Sequence, residues 1–499
     1  LPGVATITEQ LAEWSTALSW EAAPQRVRDL CVSQVLAHLG ALFGGARHPM
    51  GRRVIAGFGR PLSDDAARSA YVIAALTMAL DYDDTVFAGH VSHSSVGVPL
   101  AYARSAGLDG AGLLRSILAA TEVAARVTAA ATLGPFRGQT AAHTHLAGAV
   151  AGRCVAQRLG ASTMVDAMGI AFAQPPWPLN HAFFGSDAKL LTASTPIRTG
   201  LDAVDAARAG LRGAPGILEH PEGFLARFAT IPLAEAAGGL GERWHTDTLS
   251  IKVHPGCAYI DGAIDAALRL HGAVAAGFDQ ISAVSVDASI FTVGMEQRAA
   301  PYLSGPSSGL AALNFSTGYS VATALLRGGL EVEDFAPPRV EDERVWRVAR
   351  LVEVRHDAAL SRRALLATAP IGAALRMAGD AAAGWLAAGA GITEDEARAL
   401  LAAPDPGFEA AEKAIGARVR VAMRDGSEHA AEVDIAEGAA GPDTRARHRE
   451  ISRTKLVGNA APLVGEAAAA DIADRVERLP GAGTDEVRAL LDRLANALT

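Results

Sequence analysis

The sequence predicts a mainly α protein, a large helical domain built from both chain ends with an α+β unit inserted in the middle third. Three observations predict this. Half of the 499 residues are hydrophobic while only 5% are aromatic, and Ala and Gly abound, which suits closely approaching Ala-rich helices. From Ile7 to about residue 270 apolar residues recur at helical spacing, and only farther on do two segments change to a period of two.

The elements follow in order. "LAEWSTAL", "VRDLCVSQVLAHLGALF" and "GLLRSILAATEVAARVTAAATL" read as helices of a bundle of eight or more, with Gly and Pro at the breaks. Ser63 before "DDAARSAYVIAALTMAL" and Thr163 before "MVDAMGIAFA" are expected N-caps, because a hydroxyl there accepts from orphan amides. "QISAVSVDASIFTV", around residues 279 to 293, alternates β-branched with small or polar residues and predicts a half-buried strand. "ARVRVAM" and "EHAAEVDI", joined through Asp425 and Gly426, predict a hairpin, with helices expected near 316–328 and 391–402. Residues 436–447 read as a loop. "AADIADRVERL" and "TDEVRALLDRLANAL" form a tail that must pack on the first domain to bury its apolar stripe. The expected boundaries are 1–269, 270–436 and 437–499.

A formal charge of −9 with scattered Arg and Lys speaks against nucleic-acid and anionic-membrane partners, while leaving room for a small anion held by one or two cations. Cys31, Cys154 and Cys257, odd in number and without CxxC, point to a reducing, cytoplasmic setting without disulfides or a thiolate zinc site. No apolar h-region of a signal peptide shows, and the best uncharged stretch, 167–186, carries three prolines and is no membrane span.

Titratable groups concentrate in "ALDYDDTVFAGHVSHSS". Asp81, Asp83, Asp84, His90 and His93 fall within thirteen positions after an apolar run, and read alone they fit a metal site, an acid/base cluster or a solvated helix end. His90 and His93 as HxxH, with His143 and His145 as HxH, could in principle ligate zinc, but neither pair falls on a predicted strand or paired helix face. "GPSSG" at 305–309 lacks the strand of a nucleophile elbow, and "GFG" at 57–59 lacks the third Gly of a dinucleotide fingerprint. Cys257 reads as a packing thiol.

In order along the chain, "LDYDDT", "GSDAKLLTASTPIRTGLDAVDAARAGLRG", "GILEHPEGFLARFA", "IKVHPGCAYIDGAIDAAL" and "NFSTGYSVATALLRGG" resemble the MmgE/PrpD family. That family includes 2-methylcitrate dehydratase, cis-aconitate decarboxylase and iminodisuccinate epimerase. The resemblance implies that the inserted α+β unit is a lid, that the site lies in the cleft beneath it, that the protein is a homodimer, and that neither metal nor other cofactor takes part. It places Asp81, Thr85 and His93 in the family's "D-aromatic-DDT" loop and following His, Lys189 and Lys252 at its cleft lysines, and Tyr319 at its helix-start tyrosine. In these roles His93 and Asp81 do acid/base work, Lys189 and Lys252 bind the anionic end of a small carboxylate or carbonyl substrate, and Tyr319 assists.

The chain departs from the family in three places. The loop from Thr85 to His93 is stretched and adds His90; the family's "FHP" is Phe136, Arg137, Gly138; and Asp261 stands where the family has His. His143 or His145 is a candidate to replace the lost imidazole, Arg137 to add a cation. The expected function is a cofactor-independent dehydratase or decarboxylase, with an isomerase, epimerase or cyclase using the same enolate, or a non-catalytic carboxylate binder, as the alternatives.

Overall fold

The computed structural model describes residues 5–134 and 141–498, the side chains of 141 and 142 excepted. It is mainly helical with few strands, and more than eight helices precede residue 275 among the described residues. The helix Gln25–Arg47 runs through the middle of the largest core, where Val35, Leu36, Leu39 and Phe43 meet Ile73 and Leu76 of the helix Ala66–Ala79. By length and composition it is the one helix among the described residues able to cross a bilayer, yet it is buried in protein. Close approach explains its glycines: a Cβ on Gly45 would overlap the Leu76 carbonyl oxygen.

Two expected caps move. The helix Ala66–Ala79 is capped by Asp65, whose side chain accepts from Arg68 N, and Ser63 instead lies one turn outside. The helix Ala161–Ala171 starts at Gly160, so Thr163 is inside its first turn and caps nothing. In both cases several polar residues in a row offered themselves, and tertiary packing chose the boundary.

The β content is a short pair, β1 (Asp84–Thr85) and β2 (Ser250–Ile251), and a four-stranded sheet of β3 (Ile281–Ala288), β4 (Val352–His356), β5 (Ala417–Met423) and β6 (Glu428–Val433). The sheet order is β4-β3-β5-β6, with β3 parallel to β4 and antiparallel to β5. Val284, Val286, Val419 and Val421 face the helices Asp261–Val274 and Thr317–Arg327 in one core. The hairpin forms where expected, with Gly426 at φ +89° and Asp425 accepting from Ser427 N at 2.9 Å. The strand expected to 293 stops at Ala288, and Ile290–Ala299 is helical, since Ser289 and the residues after it leave the ladder. The stretch 436–447 is shorter as a loop than expected, because a helix begins at Pro442, with proline at its first turn.

That helix, Pro442–Val464, lies against Gln25–Arg47, and Leu456 and Ala460 enter the same core. Gly40 makes the room: a Cβ there would come within 2.8 Å of Lys455 Cγ. All three cysteines are buried and unpaired.

Glycine positions supply a test of this packing. Gly45→Ala should lose about 1–3 kcal/mol or more in urea unfolding, because the overlap is with backbone. Gly57→Ala, exposed on the helix Pro49–Phe58 with nothing within 4 Å, should gain about 0.5–1 kcal/mol.

Candidate active site

The helix Ala66–Ala79 delivers its chain end to the site. Asp81 follows at φ +51°, in the left-handed region that Asp tolerates better than most residues, and this turns Asp81 and Asp83 inward. β1 then pairs with β2 in the register Asp84 to Ile251, so the next residues outward, Asp83 and Lys252, come to lie side by side. Lys252 Nζ is 2.9 Å from Asp83 Oδ1 and 3.4 Å from Asp81 Oδ2. Lys189, from the turn Asp187–Leu191, reaches Asp81 Oδ1 at 3.3 Å and the Met78 carbonyl at 3.2 Å. All four side chains are buried.

Burial opposes every one of these charges, and proximity decides the outcome. At Asp81 burial is outweighed by Lys189 and Lys252, and at Asp83 by His90, Lys252 and His93, so both carboxylates are held below their usual range. Lys252, against two carboxylates, is pushed up despite burial; Lys189, with one at longer range, goes down because burial dominates. Asp84, which accepts from Gln34 at 2.7 Å, is raised by burial and by Asp83.

The imidazoles stand on the other side of Asp83. His90 Nδ1 lies 2.7 Å from Asp83 Oδ2, and His93 Nε2 lies 3.2 Å from the same oxygen in a geometry that makes no hydrogen bond. His93 Nδ1 is 2.7 Å from Thr77 Oγ1, whose own proton goes to the Ile73 carbonyl at 3.0 Å. Thr77 therefore accepts, the His93 proton sits on Nδ1, and Nε2 is left for proton exchange. His145, on the helix Ala141–Ala156, has its ring 5.2 Å from that of His93, bonds Ser94 through Nδ1 at 3.0 Å and has an unbonded Nε2. Burial holds its pKa well below the usual imidazole value.

The expected residues are thus sorted by geometry. Asp81, Lys189, Lys252, His90, His93 and His145 come together, and Thr85 joins them through Lys413, whose Nζ is 3.0 Å from Thr85 Oγ1. Tyr319 is corrected: its hydroxyl donates to the Asp334 carbonyl and its ring packs on Trp346 at 4.8 Å, inside the core beneath the sheet. His143 is also turned away, into an aromatic box with Phe224 at 4.7 Å and Phe228 at 4.8 Å, where burial lowers its pKa to about 4. Two residues apart on a helix, His143 and His145 cannot share a face. Arg137 lies outside the described residues. Lys189 and Lys252, expected to hold a substrate anion, spend their charge on Asp81 and Asp83.

Asp83, His90 and His93 bring three ligand-type atoms within 4.8 Å of one another, which a divalent metal could use. The Lys252 ammonium 2.9 Å from the same carboxylate opposes such a cation. Cys257 is a buried thiol whose pKa burial pushes up to about 12, consistent with packing. Ser307 of "GPSSG" only donates to Ser304 O at 3.0 Å within its own exposed turn.

Spacing gave no hint of Lys413 or Lys455, but composition holds one. Of 45 basic residues only four are lysines, Lys189, Lys252, Lys413 and Lys455, and all four are buried around this cluster. Lys455 sends Nζ to the Tyr82 carbonyl and, at 2.9 Å, to the Lys252 carbonyl, tying together the two loops that carry the site.

Removing Lys252 should expose how much the cluster depends on compensation. Lys252→Met should cost about 3–5 kcal/mol in urea unfolding, as it strands two buried carboxylates. In the wild type, the depressed pKa values of Asp81 and Asp83 contribute stability that is full above about pH 5 and is lost as pH falls below about 4, measurable as a falling urea midpoint.

The MmgE/PrpD N-terminal domain model matches residues 9–235 and the MmgE/PrpD C-terminal domain model matches residues 254–377. Two curated relatives, each named cis-aconitate decarboxylase, come from Aspergillus terreus and from its strain NIH 2624 / FGSC A1156. They are 25% identical over 301 and 299 residues, covering 53% of this chain and 60% of theirs.

Proposed function

The chain belongs to the MmgE/PrpD family, and we propose that it is a cofactor-independent lyase, a dehydratase or decarboxylase acting next to a carboxylate or carbonyl. The observation that carries this reading is a largely buried acid/base cluster in which His93 Nε2, like His145 Nε2, has no hydrogen-bond partner among the described residues, and in which His93 Nε2 faces the Asp83 side of an ion-paired core. Such a nitrogen can take a proton from the carbon beside a carboxylate. The C–H electron pair then moves into that carboxylate as an enediolate. Fixed positive groups stabilise this charge more than they stabilise the ground state.

In a dehydratase the electron pair returns to expel a β-hydroxyl, which must be protonated to leave as water. A decarboxylase takes no C–H proton first: the C–C bond to a carboxylate breaks, its electron pair stays on the carbon, conjugated with the neighbouring carboxylate or carbonyl as an enolate, carbon dioxide leaves, and an imidazolium gives a proton to that carbon. Asp81 and Asp83 hold Lys189, Lys252 and His90 in place during either step. In this reading residues 1–269 and 437–499 make the helical domain, 270–436 form a lid over the site, and the protein works as a cytoplasmic homodimer.

An epimerase or cyclase would use the same enediolate without a leaving group, and the replacement of the family's "FHP" by Phe136, Arg137, Gly138 supports keeping that reading as second. The two separate by isotope. With cis-aconitate and 2-methylcitrate as first substrates, a lyase releases carbon dioxide or water, whereas an isomerase incorporates solvent deuterium into a compound of unchanged mass otherwise. His93→Gln should lower kcat about 10²–10⁴-fold with ligand affinity changed less than about threefold. Unchanged kcat in that variant would remove His93 from the chemistry.

A further inference from the structure

The four lysines of this chain divide by how their charge is used. Lys189 and Lys252 are neutralised by Asp81 and Asp83, and Lys455 is held by two backbone carbonyls. Lys413 is different. Its ammonium, 3% exposed as a residue, has one hydrogen-bond acceptor among the described residues, the Thr85 hydroxyl at 3.0 Å, and lies 5.7 Å from the Tyr259 ring centroid. No ion pair among the described residues includes it. An ammonium has three donors, so two are unspent; Asp261 acts on it electrostatically without forming an ion pair with it, and a buried cation with unspent donors is costly unless something accepts from them.

The surroundings say what would supply it. Lys413, Lys252, Asp261 and Ser250 line a narrow, partly open space of about 10 Å³, the room that one oxygen atom takes. Asp261 Oδ1 is buried there with no partner. Thr85 accepts from Lys413, so its own hydroxyl proton is free of any acceptor among the described residues. The backbone fixes the arrangement, since Lys413 N donates to the Ala440 carbonyl at 2.8 Å and Thr85 lies in the β1–β2 pair.

We propose that Lys413 is the seat of a substrate carboxylate, whose oxygen enters the space between Lys413, Lys252 and Asp261 and receives the unspent ammonium donors and the Thr85 hydroxyl. This deepens the lyase reading and rests on it for the identity of the anion as a substrate. It also moves the anchoring role from the two lysines that are already paired to one that is not. Lys413 lies beyond residue 377, where the match to the family's C-terminal domain ends.

Proton inventory gives the seat a pH dependence. Burial, and then the Lys252 charge, lower Lys413 to about 8, while Asp261, Cys257 and Asp83 act in the opposite direction. Burial raises Asp261 to about 7, with Asp265 adding to it and His254, Lys252 and Lys413 opposing. Below about pH 7 the protonated Asp261 is a donor and Lys413 a cation, and both favour a carboxylate. As pH rises through 7 and then 8, each contribution is lost.

The test is titration calorimetry of the full chain with cis-aconitate, tricarballylate and succinate at pH 6.5 and pH 9, for wild type, Lys413→Met and Arg198→Met, beside thermal unfolding and turnover. Expected for Lys413→Met is at least tenfold weaker carboxylate binding with an unchanged or higher Tm, because an unpaired buried charge has been removed. Wild-type affinity should fall at least tenfold between pH 6.5 and pH 9. Arg198→Met, which removes a half-exposed cation paired with Asp202 on the helix Ser194–Arg208, should bind carboxylates as the wild type does. Undiminished affinity in Lys413→Met, a lowered Tm or failure to fold in that variant, or no carboxylate binding by the wild type at pH 6.5 would each overturn the seat. Binding that depends on Lys413, in a protein that converts no carboxylate, would support the seat and reject the lyase reading.

Discussion

The arrangement depends on placing two carboxylates and two ammoniums where water cannot reach them. At an effective dielectric of about 20, a pair near 4 Å gains about 4 kcal/mol, and desolvation consumes much of this. Such a cluster survives only if every member is kept in register. The β1–β2 pair, the left-handed turn at Asp81 and the contact of Lys189 with the Met78 carbonyl all serve that end. The few residues of β structure in the first half of the chain are therefore placed where alignment matters most.

Lysine usage expresses the same constraint. Arginine's planar fork suits the exposed pairs that cover this surface, such as Arg447 with Glu450 at 3.1 Å. A compact ammonium suits a buried site, because it fits between carbonyls and carboxylates and its proton can be lost or gained near neutrality. Lys455 falls to about 7 and Lys413 to about 8 through burial, while Lys252 is locked in its charged form by Asp81 and Asp83. One residue type thus supplies a fixed charge, a structural clamp and a titratable cation within one cluster. The C-terminal helix that carries Lys455 contributes to the site as well as to the core, with Gly40 leaving the space it needs.

Proton placement follows from hydroxyls as much as from charges. Thr77 gives its proton to a helix carbonyl and so sets the tautomer of His93, and Ser94, which donates to the Val91 carbonyl at 3.2 Å, does the same for His145. Both imidazoles consequently keep Nε2 without a hydrogen-bond partner among the described residues. Asp83 is the common neighbour of His90, His93 and Lys252, which makes it the point where acid/base groups and fixed charge meet.

Much of this was legible before any coordinates. Periodicity separated helices from the period-two segments, the Asp425–Gly426 turn marked the hairpin, and ordered motifs pointed to Asp81, His93, Lys189 and Lys252. Local sequence could not settle caps at Ser63 or Thr163, where neighbouring polar residues compete. It also misplaced Tyr319 and left His143 and His145 equivalent, since spacing along a chain does not say which way a side chain turns. Lys413 and Lys455 were visible only as rarity in composition. The sequence by itself determined which segments are helical or extended and which loop is charged, because those follow from short-range periodicity. Tertiary structure alone decided which lysine is paired and which is left with spare donors, because counter-charges arrive from segments more than a hundred residues away.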